Sequence, residues 1–155
     1  LRLARHPSET AEFLVTRLLA YCLEYADGLA FSKGGLSDPD EPALSVRDLT
    51  GALRAWIEVG TPDAARLHRA GKAAPAVRVY PHRDVASWLA RLAGERIHRS
   101  ADLAIRVLDR ELIAALAARL ERRMEFDLSV AEGTLYVSLG EDTLSGTVED
   151  RPLPG

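Results

Sequence analysis

Apolar residues Ala11, Leu14, Val15, Leu18, Leu19, Cys22, Leu23 and Ala26 recur every three or four positions, which predicts an amphipathic helix over residues 8–26. Pro7 and Ser8 stand where such a helix starts, and Gly28 where it stops. Residues 33–42 are dense in Gly, Ser, Asp and Pro and read as a loop carrying Asp38, Asp40 and Glu41. Residues 44–49 and 53–59 then form two strand-like runs around a turn near Gly51, a predicted hairpin. In the second run Leu53, Ala55, Ile57 and Val59 share one face, and Arg54, Trp56 and Glu58 share the other. After Gly60, Thr61 at the N-cap, Pro62 at N1 and Asp63 at N2 open a helix that runs to about Lys72, and its polar residues are basic: Arg66, His68, Arg69 and Lys72. A strand over 76–80, a helix over 83–93, a strand over 103–108 and a helix over 110–122 follow. Met124, Phe126, Leu128 and Val130, then Leu135, Val137 and Leu139 across Glu132 and Gly133, predict a C-terminal β-hairpin with one wet face. The order predicts an α/β protein, a mixed sheet with flanking helices, and no internal repeat interrupts it.

Composition narrows this picture. At 155 residues the chain has the length of a single domain, 1–155, with a core that needs neither disulfides nor a structural metal. A net charge of −3 excludes a protein that coats nucleic acid or an anionic membrane with its whole surface, while leaving room for a local basic patch. The single cysteine, Cys22, makes no internal disulfide and sits in an apolar helical pattern, which fits a buried thiol in a reducing cytoplasm. No signal peptide is read, and Arg17 interrupts the longest apolar stretch, so no membrane span is expected. Because the first residues from Leu1 already look like part of a strand, an upstream segment is expected before it.

The stretch from Asp40 to Lys72 carries the candidate chemistry. Asp48 and Glu58 are ten residues apart, and a turn centred near residue 53 would bring them together across an antiparallel pair. Two carboxylates held that close need a cation or a proton between them, and an oxygen-rich site of this kind suits Mg²⁺ or Mn²⁺. Two solvated strand-end carboxylates are the plainer alternative. His6, His68, His82 and His98 show no metal-site spacing, and Trp56 reads as packing or as a base-stacking platform. Arg66, Arg69 and Lys72 read equally as a solvated helix face or as a phosphate-facing patch. The Arg119, Glu121, Arg122 and Arg123 cluster reads as a helix C-terminus, and Ser8 as a cap.

Five separated phrases resemble the bacterial YaeQ family: Leu3-Ala4-Arg5-His6-Pro7-Ser8-Glu9-Thr10; Arg17-Leu18-Leu19-Ala20; Gly35-Leu36-Ser37 with Asp40-Glu41-Pro42; Asp48-Leu49-Thr50-Gly51; and Trp56-Ile57-Glu58-Val59-Gly60 with Pro62-Asp63. The resemblance covers essentially the whole chain. It implies a variant of the restriction-endonuclease-like, PD-(D/E)xK nuclease fold, whose metal ligands would fall on Asp48, Glu58 and Glu9, with Glu12 as second choice for the helix carboxylate. The family pattern departs at Gly60, which stands where such nucleases carry the lysine that stabilises developing charge. Lys72 or Arg69, on the following helix, is expected to supply that cation. An Arg there stabilises phosphate charge but stays protonated and serves as no base.

Two functions of different class follow. The first is a Mg²⁺- or Mn²⁺-dependent nuclease hydrolysing nucleic-acid phosphodiesters, with Asp48, Glu58 and Glu9 as ligands and Lys72 or Arg69 as charge stabiliser. The second is a non-catalytic nucleic-acid- or protein-binding module that retains the nuclease fold after losing the lysine.

Overall fold

The computed structural model describes residues 10–25, 29–31, 42–98, 102–120 and 124–153. In chain order the elements are α1 (Ala11–Leu23), β1 (Leu29–Phe31), β2 (Leu44–Arg47), β3 (Leu53–Val59), α2 (Ala64–Ala73), β4 (Ala76–Tyr80), α3 (Val85–Leu92), β5 (Leu103–Leu108), α4 (Arg110–Ala118), β6 (Asp127–Ala131), β7 (Thr134–Leu139) and β8 (Asp142–Arg151). The strands join in the order β1-β2-β3-β4-β5-β8-β7-β6. Neighbours pair antiparallel except at the centre, where β3, β4 and β5 run parallel. This is the mixed α/β sheet that the alternating pattern predicted.

Two expectations about the sheet change. The C-terminal hairpin is a three-stranded meander, because residues 142–151 form the longest strand: β8 pairs with β7 through its first half and with β5 through its last four residues. In residues 143–150 only Leu144, Gly146 and Val148 turn inward, and with a glycine at the middle position the apolar alternation that marks a half-buried strand is weak. Glu132 and Gly133, both at positive φ, close the β6–β7 turn as the sequence suggested. The short strand β1 also escaped the pattern, since three residues hold no period.

Helix boundaries shift for reasons of capping. Thr10 caps α1, its hydroxyl accepting from the Phe13 N–H, so the helix starts at Ala11; Ser8 lies outside the described residues. Asp63, not Thr61, caps α2: its carboxylate accepts from the Arg66 N–H at 2.8 Å, a better acceptor than a hydroxyl for an orphan amide. Helix α4 ends at Ala118, its turn closing at Arg119.

Both faces of the sheet are buried, because α1 and α4 cover one side and α2 and α3 the other. Ile57, Val59, Tyr80 and Leu108 meet Val15, Leu19, Leu112 and Ile113 on the first side, where Leu135 and Val137 complete the cluster. Trp56, Val77, Val79 and Ile105 meet Leu67, Ala70, Trp88 and Leu92 on the second. The period of two in β3 therefore separates two cores rather than a core and a wet face. Glu58 points away from the aliphatic row, as expected, but into the α2 core instead of solvent.

Candidate functional site

The hairpin register decides what Asp48 and Glu58 do. Leu44 lies opposite Ile57 and Arg47 opposite Leu53, so the turn occupies residues 48–52 and is centred near residue 50, not 53. Glu58 then stands five residues up β3 from the turn, about 17 Å of strand away. The expected carboxylate pair does not form. The reason is local: one Asp48 oxygen, Oδ1, accepts from the Thr50 N–H (2.9 Å), the Thr50 hydroxyl (2.5 Å) and the Ala52 N–H (3.0 Å), while Gly51 takes a positive φ. This Asx-type closure fixes the tight turn. It also lowers the proton affinity of the exposed Asp48 carboxylate, chiefly through the Thr50 hydroxyl.

Glu58 is 4% exposed and closed by two side chains. Its Oε1 accepts from the Trp56 indole N–H at 2.8 Å and from Arg66 Nη2 at 2.9 Å, and its Oε2 accepts from Arg66 Nε at 2.7 Å. The guanidinium also lies 5.6 Å from the centroid of the Trp56 ring, within cation–π range. Arg66 is the cation that meets Glu58, not Lys72 or Arg69, which are both exposed on α2. The Asp63 cap explains this, because it sets the helix start so that the third residue after it faces the end of β3. The Pro62-Asp63 start was legible in the sequence, and a buried strand carboxylate just before a capped helix was the signal that singles out Arg66 from the basic set.

Those residues do not fit a shared divalent-metal centre. Arg66 engages both oxygens of Glu58 and Asp48 belongs to a distant turn; among the described residues no group of three His, Cys, Asp or Glu side chains gathers as a metal site. Glu9, His6, Asp40 and Glu41 lie outside the described residues. Glu12 lies in the first turn of α1, where its charge partly opposes the lowering of the His82 proton affinity by burial and Arg83.

Two polar clusters went unread in the sequence. At the C-terminal end of β4, His82 is 8% exposed, its ring edge-on to Phe13 at 5.1 Å, and its Nδ1 has no hydrogen-bond partner among the described residues. Burial lowers its proton affinity, and Arg83 adds to this. Gly60 at φ +111° makes the close packing possible, since a Cβ there would stand 3.2 Å from the Phe13 ring. The second cluster ties α1 to the sheet: Glu24 accepts from the Tyr80 hydroxyl at 3.1 Å and lies 3.4 Å from Arg78 Nε, while Arg106 donates to the Tyr80 oxygen at 3.1 Å. Burial, followed by Glu24, pushes the Tyr80 phenol well above its ordinary pKa, so it stays a neutral donor. Cys22 is half-buried and its thiol is likewise pushed up by burial.

A groove of about 430 Å³ opens where α3 and α4 begin, lined by Asp84, Asp109 and Glu149 together with Arg110 and Arg151, so neither sign of charge dominates it. On the α2 face the balance differs: His68 accepts from the His98 backbone N–H and feels the charges of Lys72, Arg96 and His98, the last two from the segment after α3. No helix among the described residues is long and apolar enough to cross a membrane.

The family model described as YaeQ protein matches residues 1–148. YaeQ of Escherichia coli (strain K12) is 34% identical over 147 residues, covering 93% of this chain and 80% of the relative. The Salmonella typhi YaeQ protein is 32% identical over 146 residues with the same coverage. Among solved structures, YaeQ from Xanthomonas axonopodis pv. citri superposes with a TM-score of 0.84 at 34% identity, over 99% of this chain and 87% of that one. YaeQ from Pseudomonas syringae gives 0.83 at 31% identity, over 96% and 82%. Matching in sequence along nearly its full length and in the arrangement of its strands and helices, the chain belongs to the YaeQ family.

Proposed function

We propose that this chain is a nucleic-acid-binding module that keeps a nuclease-type frame without metal-assisted hydrolysis. The observation that carries this is the Glu58–Arg66–Trp56 closure: the carboxylate that the family resemblance assigns to a metal is already neutralised and hydrogen-bonded at both oxygens. A metal there would have to displace a bidentate Arg, and Asp48, its expected companion, is held in a turn on the far side of the hairpin. With hydrolysis unsupported, the exposed feature that favours a nucleic-acid partner over a protein is the basic face of α2, Arg69 and Lys72, with Arg96 beside it on an otherwise acidic molecule.

The test is binding and cleavage of labelled single- and double-stranded DNA and RNA, with Mg²⁺ and with Mn²⁺. Binding that weakens with salt and leaves the strands intact is expected, and Arg69→Ala with Lys72→Ala should lower the salt slope by about one to two counterions. Cleavage that disappears in Glu58→Gln would instead establish the hydrolase. Equal, negligible binding by wild type and the double variant would remove the nucleic-acid reading.

A further inference from the structure

Helix α2 and the segment after α3 approach more closely at their backbones than side chains allow. A Cβ on Gly71 would lie 2.3 Å from the His98 carbonyl oxygen, so glycine at this position permits the contact. The approach brings the His98 N–H to 2.9 Å from His68 Nδ1, with the two rings edge-on at 5.9 Å. An Nδ1 that accepts leaves the proton of the neutral His68 ring on Nε2, where it is a donor. Lys72 is one helical turn beyond His68 on the same side, and Arg96 arrives from the facing segment. The charges acting on His68 are those of Lys72, His98 and Arg96, all of one sign. Neither Lys72 nor Arg96 forms an ion pair among the described residues. Two carboxylates adjoin this region: Asp102, which lines a small cleft with Gly71 and His98, and Glu95, next to Arg96 in the chain.

We propose that His68, Lys72, Arg96 and His98 form a phosphate subsite, with the His68 Nε2–H and the two cationic side chains as donors to the oxygens of one phosphate group. The donor set lacks an acceptor and carries uncompensated positive charge, which matches an oxyanion and repels a metal ion. The site stands on its own geometry; only the source of its phosphate, a nucleic-acid strand, rests on the function proposed above. Because burial and its cationic neighbours hold down the proton affinity of His68, a bound anion must raise it, and binding must tighten as pH falls through the imidazole range.

Imidazole nitrogen and proton shifts of His68, followed against pH by NMR at constant ionic strength, read this directly. Inorganic phosphate is the probe, with sulfate as a dianion of constant charge and chloride as the blank. Tenfold tighter binding to the protonated ring raises the His68 pKa by about one unit. Lys72→Ala and Arg96→Ala, both at exposed positions, should each weaken phosphate binding by about three- to fivefold, and Arg110→Ala, on α4, should not. A His68 titration that ignores phosphate and sulfate, or responds identically in the Lys72 and Arg96 variants, overturns the subsite. A labelled single-stranded oligonucleotide separates the two proposals. Oligonucleotide binding with His68 unmoved overturns the subsite and leaves the nucleic-acid function standing; phosphate moving His68 without oligonucleotide binding does the reverse.

Discussion

A carboxylate in a core has to be paired, and Glu58 shows how completely. Its side chain is 6% exposed and that of Arg66 17%, so the pair lies where losing one partner strands the other's charge away from water. Arg66→Met is expected to cost about 3–5 kcal/mol in urea unfolding. Adding Glu58→Met should recover most of that loss, since removing both charges also removes the desolvation penalty. If the double variant is as unstable as the single one, the pair contributes through packing on Trp56 and not through charge. Asp48, by contrast, is an exposed carboxylate whose three hydrogen bonds shape only its own turn. Residue type alone did not separate these roles.

At the scale of elements, close approach depends on what a position lacks. Gly71 lets α2 lie against the His98 backbone, and Gly146 lets α4 lie on β8, where a Cβ would stand 2.7 Å from Asp109 Cβ and 2.9 Å from Leu112 Cβ. Gly71→Ala is the more informative change because it lies in a helix, where alanine is otherwise favoured by about 1 kcal/mol. The clash with a carbonyl oxygen should reverse that sign, lowering stability by about 1–3 kcal/mol. It should also break the His98-to-His68 hydrogen bond, seen as faster exchange of the His98 amide. A stabilised variant with an unchanged His98 amide would show that the two segments separate without cost.

For the whole molecule, the buried His82 makes stability depend on pH. In the unfolded chain its imidazole titrates near 6.5, whereas burial, helped by Arg83 and Arg110 and opposed by Glu12 and Asp84, lowers that value in the fold. Between the two values the unfolded state binds more protons, so unfolding free energy rises with pH across this window. The stabilising contribution is complete above about pH 6.5 and is lost as pH falls toward the folded value. His82→Leu should therefore flatten the pH dependence of the urea midpoint between about pH 7 and 5 relative to wild type. An unchanged slope would place the acid sensitivity in the carboxylates instead.

The helices on α1, α2, α3 and α4, the parallel strands β4 and β5 and the Glu132-Gly133 turn were legible in the sequence because each follows from spacing within a short window. Strand β8 was not, since its pairing to β5 and β7 is a long-range arrangement of mostly polar residues whose local period, Leu144, Gly146 and Val148, is weak. The candidate site divides the same way. The sequence alone determined that Glu58 and a basic helix lie next to each other along the chain and that the helix starts within residues 61–63, while the structure gave the cap to Asp63. Only the tertiary structure decided that Arg66, not Lys72 or Arg69, meets Glu58, that Asp48 stays behind in its own turn, and that His68 meets His98 across thirty residues. The physical reason is that a strand register and a helix rotation are each set by the burial of a whole face. A shift of one residue in either redirects every side chain on it, and no local pattern around a single carboxylate records that choice.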